Sequence, residues 1–287
     1  MAKISAKKNQ LNSVVQKKNA AQNAGPPISV CIIGMNEEKK VEDCLKSVQK
    51  IASEIVFIDS GSTDKTLQIV KKYKARIFYK KFNNYIEQKN YALEKAKNNW
   101  VLSLDCDERL SEESQNWILN EFPSQIQQNS AIKAFEFSRL TFYIFQFIQH
   151  SGWYPDKKIR LFAKDTCHWA GSLIHETVDV HGAVVKPAAG DIIHYSFDSI
   201  TDHLKTIDKF SELAAREAFA KGRTSGPFTI IGRSLWVGIR KMVFELAWLD
   251  GVAGLILTGL SMTATWCKYS RLYILQREAK EVIRRGQ

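Results

Sequence analysis

Residues 28–33, ISVCII, form a short, almost unbroken apolar run, and strand-like runs return at 54–58, 75–79 and 100–104. Each is followed by a polar loop and then by a segment with helical spacing. Val41, Cys44, Leu45 and Val48 mark the first helix, Leu67, Val70 and Tyr73 the second, and residues 85–97 the third. Unbroken apolar runs suit strands covered on both faces. Strands alternating with helices restrict the chain to an α/β architecture, with a mostly parallel sheet and helices on both faces. Ligands of such sheets collect at the carboxyl ends of the strands. The loops at 34–38, 59–64 and 105–108 should therefore converge on one cleft.

The loop after the fourth run is the most acidic. In WVLSLDCDERLSEE, Asp105, Asp107 and Glu108 follow directly on a strand. Ser111, Glu113 and Ser114 account for the cap of a helix expected over 111–128, which leaves Asp105 and Asp107 unexplained. Carboxylates this close repel one another and are costly to desolvate. At i and i+2 beyond a strand they can meet one divalent cation and its bound phosphates, and hard oxygen ligands suit Mg²⁺ or Mn²⁺.

Three motifs, ISVCIIGMNEE, IVFIDSGSTDKT and QKNYALEKAKNNWVLSLDCDE, resemble in order and spacing those of the family 2 glycosyltransferases. The resemblance spans residues 28–108. It implies the GT-A nucleotide-sugar-binding fold and a UDP-sugar donor. Asp59 would then accept hydrogen bonds from the uracil, and Asn36 and Glu37 would face the nucleoside. Lys89 and Asn90 would contact uracil or diphosphate. Asp107 would hold the metal, and Asp105 would reach the ribose or the same ion.

Further segments, GWYPDKKIRLF, GSLIHETV, IIHYSF, WLDGVAGL and KYSRL, are similar to bacterial lipopolysaccharide core glucosyltransferases. That likeness implies Glu176 as the general base for an attacking hydroxyl and His194 as a late metal ligand; Arg160 on the diphosphate and Trp153 stacked on the acceptor are further candidates, with surface pairing and ordinary packing as the alternative for both. His175 beside Glu176 reads as a hydrogen-bonded structural histidine, and a packed core histidine is an equal reading of His194. The implied reaction is inverting transfer of glucose to a lipid-linked saccharide, such as a lipopolysaccharide core heptose.

The net charge of +11 is unevenly spread: residues 1–25 hold five lysines and no acid, and lack apolar period. Residues 1–27 read as a flexible basic tail without the apolar segment of a secretory signal, so a cytosolic chain is expected. The catalytic domain is expected over 28–198. From 199 to 287 helical patterns dominate, interrupted at Gly226-Pro227. The uncharged run 251–267 is short for a bilayer of roughly 30 Å and neighbours Arg233, Arg240, Lys241 and Lys268. A peripheral helix attracted to anionic lipid at the inner membrane face fits these features, and a helical cap on the catalytic core is the alternative. Five cysteines without paired spacing read as reduced thiols, and Cys167-His168 lacks a second ligand pair nearby. The rival readings are a family 2 enzyme acting on a capsular, glycoprotein or peptide acceptor, a catalytically dead scaffold, and a nucleic-acid or anionic-surface binder. No RNA-binding or helix-turn-helix signature supports nucleic acid.

Overall fold

The computed structural model describes residues 26–171 and 176–285. The first half alternates as expected: β1 (Ile28–Gly34), α1 (Val41–Val48), β2 (Ala52–Asp59), α2 (Thr66–Lys72), β3 (Arg76–Tyr79), α3 (Tyr85–Lys95) and β4 (Trp100–Asp105). A three-residue strand β5 (Glu108–Leu110) follows, then α4 (Glu112–Asn120), α5 (Phe122–Gln128), β6 (Ile132–Tyr143), β7 (Gln146–Ile148), β8 (Asp156–Ala163), β9 (His168–Gly171), β10 (Glu176–Asp179) and β11 (Val184–Phe197). The last third is α6 (Ile200–Ala220), α7 (Pro227–Ile239), a π-turn (Arg240–Phe244), a 3₁₀ turn (Ala247–Asp250) and the long α8 (Gly251–Arg285).

Among the described residues, nine strands form one mixed sheet in the order β3-β2-β1-β4-β8-β6-β11-β5, with β7 on β6. Its first four strands are parallel. β8 then runs antiparallel to both β4 and β6, β6 and β11 are parallel, and β5 is antiparallel to β11. The parallel half is thus the half expected from strand-helix alternation, and the second half is a mixed extension. β9 and β10 form a separate hairpin.

β1 shows why its residues are apolar throughout. Ile28, Val30 and Ile32 pack on one face with Val41, Leu45 and Val48 of α1. Cys31 and Ile33 pack on the other with Ala92 and Leu93 of α3. Trp100, Trp117, Phe122, Phe135 and Phe137 close the first face through edge-on ring contacts such as Trp117–Phe137, whose planes meet at 90°.

The single helix expected over 111–128 is two. α4 stops at Asn120, and Pro123 sits in the first turn of α5. A proline lacks the N–H that an uninterrupted helix would use and crowds the preceding turn, so a new helix must start there. Ser111 caps α4 as expected, its hydroxyl accepting from Ser114 N at 3.1 Å.

The helical last third is seated on the sheet. Ala253 and Leu257 of α8 are buried against Tyr143 and Ile148, with Trp153 and Phe197 alongside. Asp250, 6% exposed, accepts from the backbone of Gln149 and His150 and from the Ser151 hydroxyl. One carboxylate thereby ties residues 149–151 to the start of α8.

Candidate active site

The carboxyl ends of β1, β2 and β4 do converge, on a cavity of about 690 Å³. Its walls include Glu37, Ser60, Tyr85, Asp105, Asp107, Arg139, Glu176 and His194, and α6 closes one side with Thr206, Lys209 and Phe210.

The loops after β1 and β2 are locked together. Asp59 is 4% exposed, and its carboxylate accepts from Gly61 N at 3.0 Å and Ser62 N at 3.1 Å, an Asx-type turn. Gly61 takes φ +110°, which a side chain would resist. Across the gap, Asn36 Oδ1 accepts from Thr63 N at 2.8 Å, while Glu37 N donates to Thr66 Oγ1 at 2.7 Å. Asn36 is therefore a brace between the loops. Burial, then the charge of Asp107, pushes the Glu37 carboxyl up to about 7.

At the exit of β4, Cys106 turns inward and donates to Ile33 O at 3.2 Å, whereas Asp105 and Asp107 both face the cavity. Asp107 Oδ2 lies 3.2 Å from His194 Nε2. β11 delivers that histidine, which pairs in register with Glu108 of β5, and the backbone O of Asp107 accepts from Tyr195 N. The two residues expected to ligate metal are thus neighbours, although 87 positions apart. Their donor set of one carboxylate oxygen and one imidazole nitrogen fits a transition-type divalent ion such as Mn²⁺ better than Mg²⁺. Among the described residues His194 Nδ1 is buried without a partner, so there the ring lacks the outer anchor usual for metal-bound histidines.

A buried ionic network supports this wall. Lys89, 2% exposed, places Nζ 3.2 Å from Asp105 and 3.2 Å from Glu176, over the Trp169 ring at 4.5 Å. Arg160, 4% exposed, bridges Asp105 at 3.2 Å and Glu108 at 2.5 Å, and Arg139 reaches Glu108 from the other side. Burial would raise the Asp105 carboxyl, but Lys89 and Arg160 outweigh it and hold the group well below the usual carboxylate range. Burial likewise works against the Arg160 charge, and Glu108 and Asp105 overcome it, leaving the guanidinium more firmly protonated than usual.

Several expected roles change with these positions. Lys89 and Arg160 are engaged by carboxylates, Lys89 by Asp105 and Glu176 and Arg160 by Asp105 and Glu108, rather than free to meet a ligand. Both amide atoms of Asn90 are engaged with the Trp169 backbone, each at 2.9 Å, stitching α3 to β9. Trp153 packs edge-on to Tyr143 and beside Phe197 and His203, in the cluster that seats α8. Neither Asn90 nor Trp153 is on the cavity wall. The expected stacking of Trp153 on an acceptor and contact of Asn90 with a nucleotide do not match these surroundings. His175 lies outside the described residues. Arg139 and Trp169 escaped sequence reasoning, and Glu108, read only as part of the acidic exit of the fourth strand, had no role assigned; the available signal was Arg160 itself, a cation inside the apolar run IRLF that burial obliges to find anionic partners.

Residues 29–122 match the family described as Glycosyl transferase family 2. The chain is 27% identical over 269 residues to an uncharacterized glycosyltransferase of Rickettsia typhi, covering 89% of this chain and 90% of that one. It is 25% identical over 241 residues to the lipopolysaccharide core biosynthesis glycosyltransferase LpsC of Rhizobium meliloti, covering 80% and 86%. Among solved structures, glucosyl-3-phosphoglycerate synthase from Mycobacterium tuberculosis, in complex with Mn²⁺, UDP and glucosyl-3-phosphoglycerate, aligns over 70% of this chain and 82% of that one, at 15% identity and a TM-score of 0.44. Residues 29–122 are a family 2 glycosyl transferase domain, and the chain is a glycosyltransferase whose mixed α/β sheet is followed by a long C-terminal helix.

Proposed function

We propose that this enzyme transfers a sugar, glucose in the first instance, from a UDP-sugar to a lipid-linked saccharide such as a lipopolysaccharide core heptose, with inversion and at the inner face of the cytoplasmic membrane. The observation that carries the reading is the meeting of Asp105 and Asp107 with Glu176 and His194 around one cavity. Similarity to LpsC supports the acceptor class.

Asp107 and His194 would hold a divalent cation. When bound, that ion supplies counter-charge to the departing diphosphate. The braced loops at 34–38 and 59–64 form the nucleoside end; two of the Asp59 lone-pair directions are taken by backbone N–H groups, and the carboxylate retains capacity for a uracil N–H. Asp105, held ionised by two cations, is a poor proton acceptor. Glu176 has Lys89 as its ion-pair partner among the described residues, lines the same cavity, and is the carboxylate that takes the proton from the attacking hydroxyl. With one base and no second carboxylate serving as nucleophile, displacement occurs once and the anomeric configuration inverts.

The C-terminal third fits a membrane surface. α8 is long and apolar enough to cross a bilayer by length and composition, with a third of its most apolar window buried. Its packing partner α6 carries Asp202, Lys205, Asp208 and Glu212, which would not enter hydrocarbon. A surface-lying arrangement avoids that cost. Phe228 at 93% exposure, Phe244 at 68% and Trp248 at 58% present apolar rings beside Arg233 and Arg240, a combination suited to anionic headgroups.

The test is UDP release and sugar transfer with and without Mn²⁺, using several UDP-sugars and truncated glycolipids. Glu176→Gln should lower transfer by about 10²–10⁴-fold while UDP binding persists. Absence of cation-dependent UDP release with every donor would end the reading.

A further inference from the structure

The β9–β10 hairpin carries a second group of metal-ligating side chains, at the end remote from Glu176. Register pairs Glu176 with Gly171 at one end and Asp179 with His168 at the other. Beyond Asp179 the chain turns through His181 in the left-handed region, φ 45°, with His181 N donating to Asp179 Oδ1 at 2.9 Å. That turn folds the His181 ring back over His168, with centroids 4.8 Å apart and planes at 32°. His181 Nε2 then lies 3.1 Å from His168 Nδ1, and His181 Nδ1 lies 3.7 Å from Asp179 Oδ2.

We propose that His168, Asp179 and His181 bind a zinc-class divalent ion that clips the open end of this hairpin. One ligand atom from each residue lies within 4.8 Å of the others. Two nitrogens held at roughly 2.0–2.1 Å by one tetrahedral Zn²⁺ are about 3.3 Å apart, close to the spacing already present between the rings. Two imidazoles and one carboxylate form a borderline donor set that selects Zn²⁺ over Mg²⁺ or Ca²⁺. All three side chains are exposed, so the ion would exchange with solvent and leave the remaining coordination position to water.

The ion would also act as a positioning device. β9 is stitched to α3 through Trp169 and Asn90, and β10 begins with Glu176. Fixing residue 179 against 168 sets the register that presents Glu176 beside Lys89. The site itself stands whether or not Glu176 is the base.

Isothermal titration of the full-length protein with Zn²⁺, beside the His194→Ala variant that removes the imidazole of the cavity's own cation site, tests the proposal. One Zn²⁺ should bind beyond any held at Asp107 and His194, and His168→Ala and His181→Ala should each weaken it by at least about tenfold. Asp179→Asn, the variant least disturbing to the fold, should weaken it also, whereas His194→Ala should leave it intact. Saturating Zn²⁺ should raise the Tm of the wild type and not that of His181→Ala. Zn²⁺ binding with unchanged affinity in both histidine variants, or no binding by the wild type, would overturn the site and reduce the ring contact to a histidine–histidine hydrogen bond. Neither result decides the UDP-sugar reading, which is tested separately by turnover.

Discussion

Lys89 Nζ stands 3.2 Å from Glu176 and 3.2 Å from Asp105, so a single buried ammonium holds two carboxylates from different parts of the chain on one cavity wall. Removing it leaves both acids facing each other without their shared cation. Lys89→Met should destabilise the protein by about 3 kcal/mol, at the lower end of the range for a broken buried pair because both acids are partly exposed. Denaturant unfolding would measure it. A change below about 0.5 kcal/mol would mean that the network contributes little.

The Asp107–His194 pair gives a second expectation. Asp107→Asn and His194→Ala should each raise the Mn²⁺ concentration needed for half-maximal transfer by at least about tenfold, with the fold retained. Equal Mn²⁺ dependence in His194→Ala and wild type would assign that ring to core packing.

His203 ties α6 to the sheet, bonding Tyr143 OH at 3.0 Å and stacking on Phe197 at 4.1 Å. Burial lowers its pKa to about 4 from 6.5. Between these values the unfolded chain takes up a proton that the folded chain refuses. Stability from this residue is therefore intact above pH 6.5 and falls as pH drops toward 4, by up to about 3 kcal/mol at full shift. In His203→Phe that part of the acid sensitivity should vanish. Tm curves from pH 8 to pH 4 that remain parallel for wild type and variant would contradict this.

Gly254, in the first turn of α8, has no room for a side chain, because an added Cβ would run into the Ala247 carbonyl. The obstacle is backbone and cannot rotate away. Gly254→Ala should cost about 2–3 kcal/mol, read as lost Tm, whereas Gly259→Ala, with open space around it, should be neutral or stabilising.

For the exposed rings at the C-terminal end, replacing Trp236, Phe244 and Trp248 together by Ser should reduce binding to anionic vesicles by more than about tenfold, since each decade corresponds to only about 1.4 kcal/mol. Co-sedimentation is the measurement. Unchanged binding would assign these side chains to another partner.

How much of this was legible beforehand follows the range of the interactions. The alternating apolar runs and helical spacings are local, so β1 through β4 and the convergence of their loops could be read directly, and the Asp105, Asp107 pair stood out because helix capping did not need it. β5 escaped notice because it is three residues long and exists only by pairing with β11, more than 80 positions away. The break at Pro123 was a local signal that the apolar pattern of 117–122 obscured. Asn90 and Trp153 were assigned to ligands because their types suit such contacts, but neighbouring backbone and aromatic rings had already claimed them.

By itself, the order of residues determined the alternation of strand and helix, the end of the sheet where chemistry would gather, and the acidic character of that end. Only the folded chain decided which charges would meet. Asp105 and Lys89 are 16 positions apart, Lys89 and Glu176 are 87, and Asp107 and His194 are 87. An ion pair depends on distance in space and on exclusion of water, and neither is encoded in spacing along a strand or helix. Packing against Trp169 and the β11 crossover supplied both.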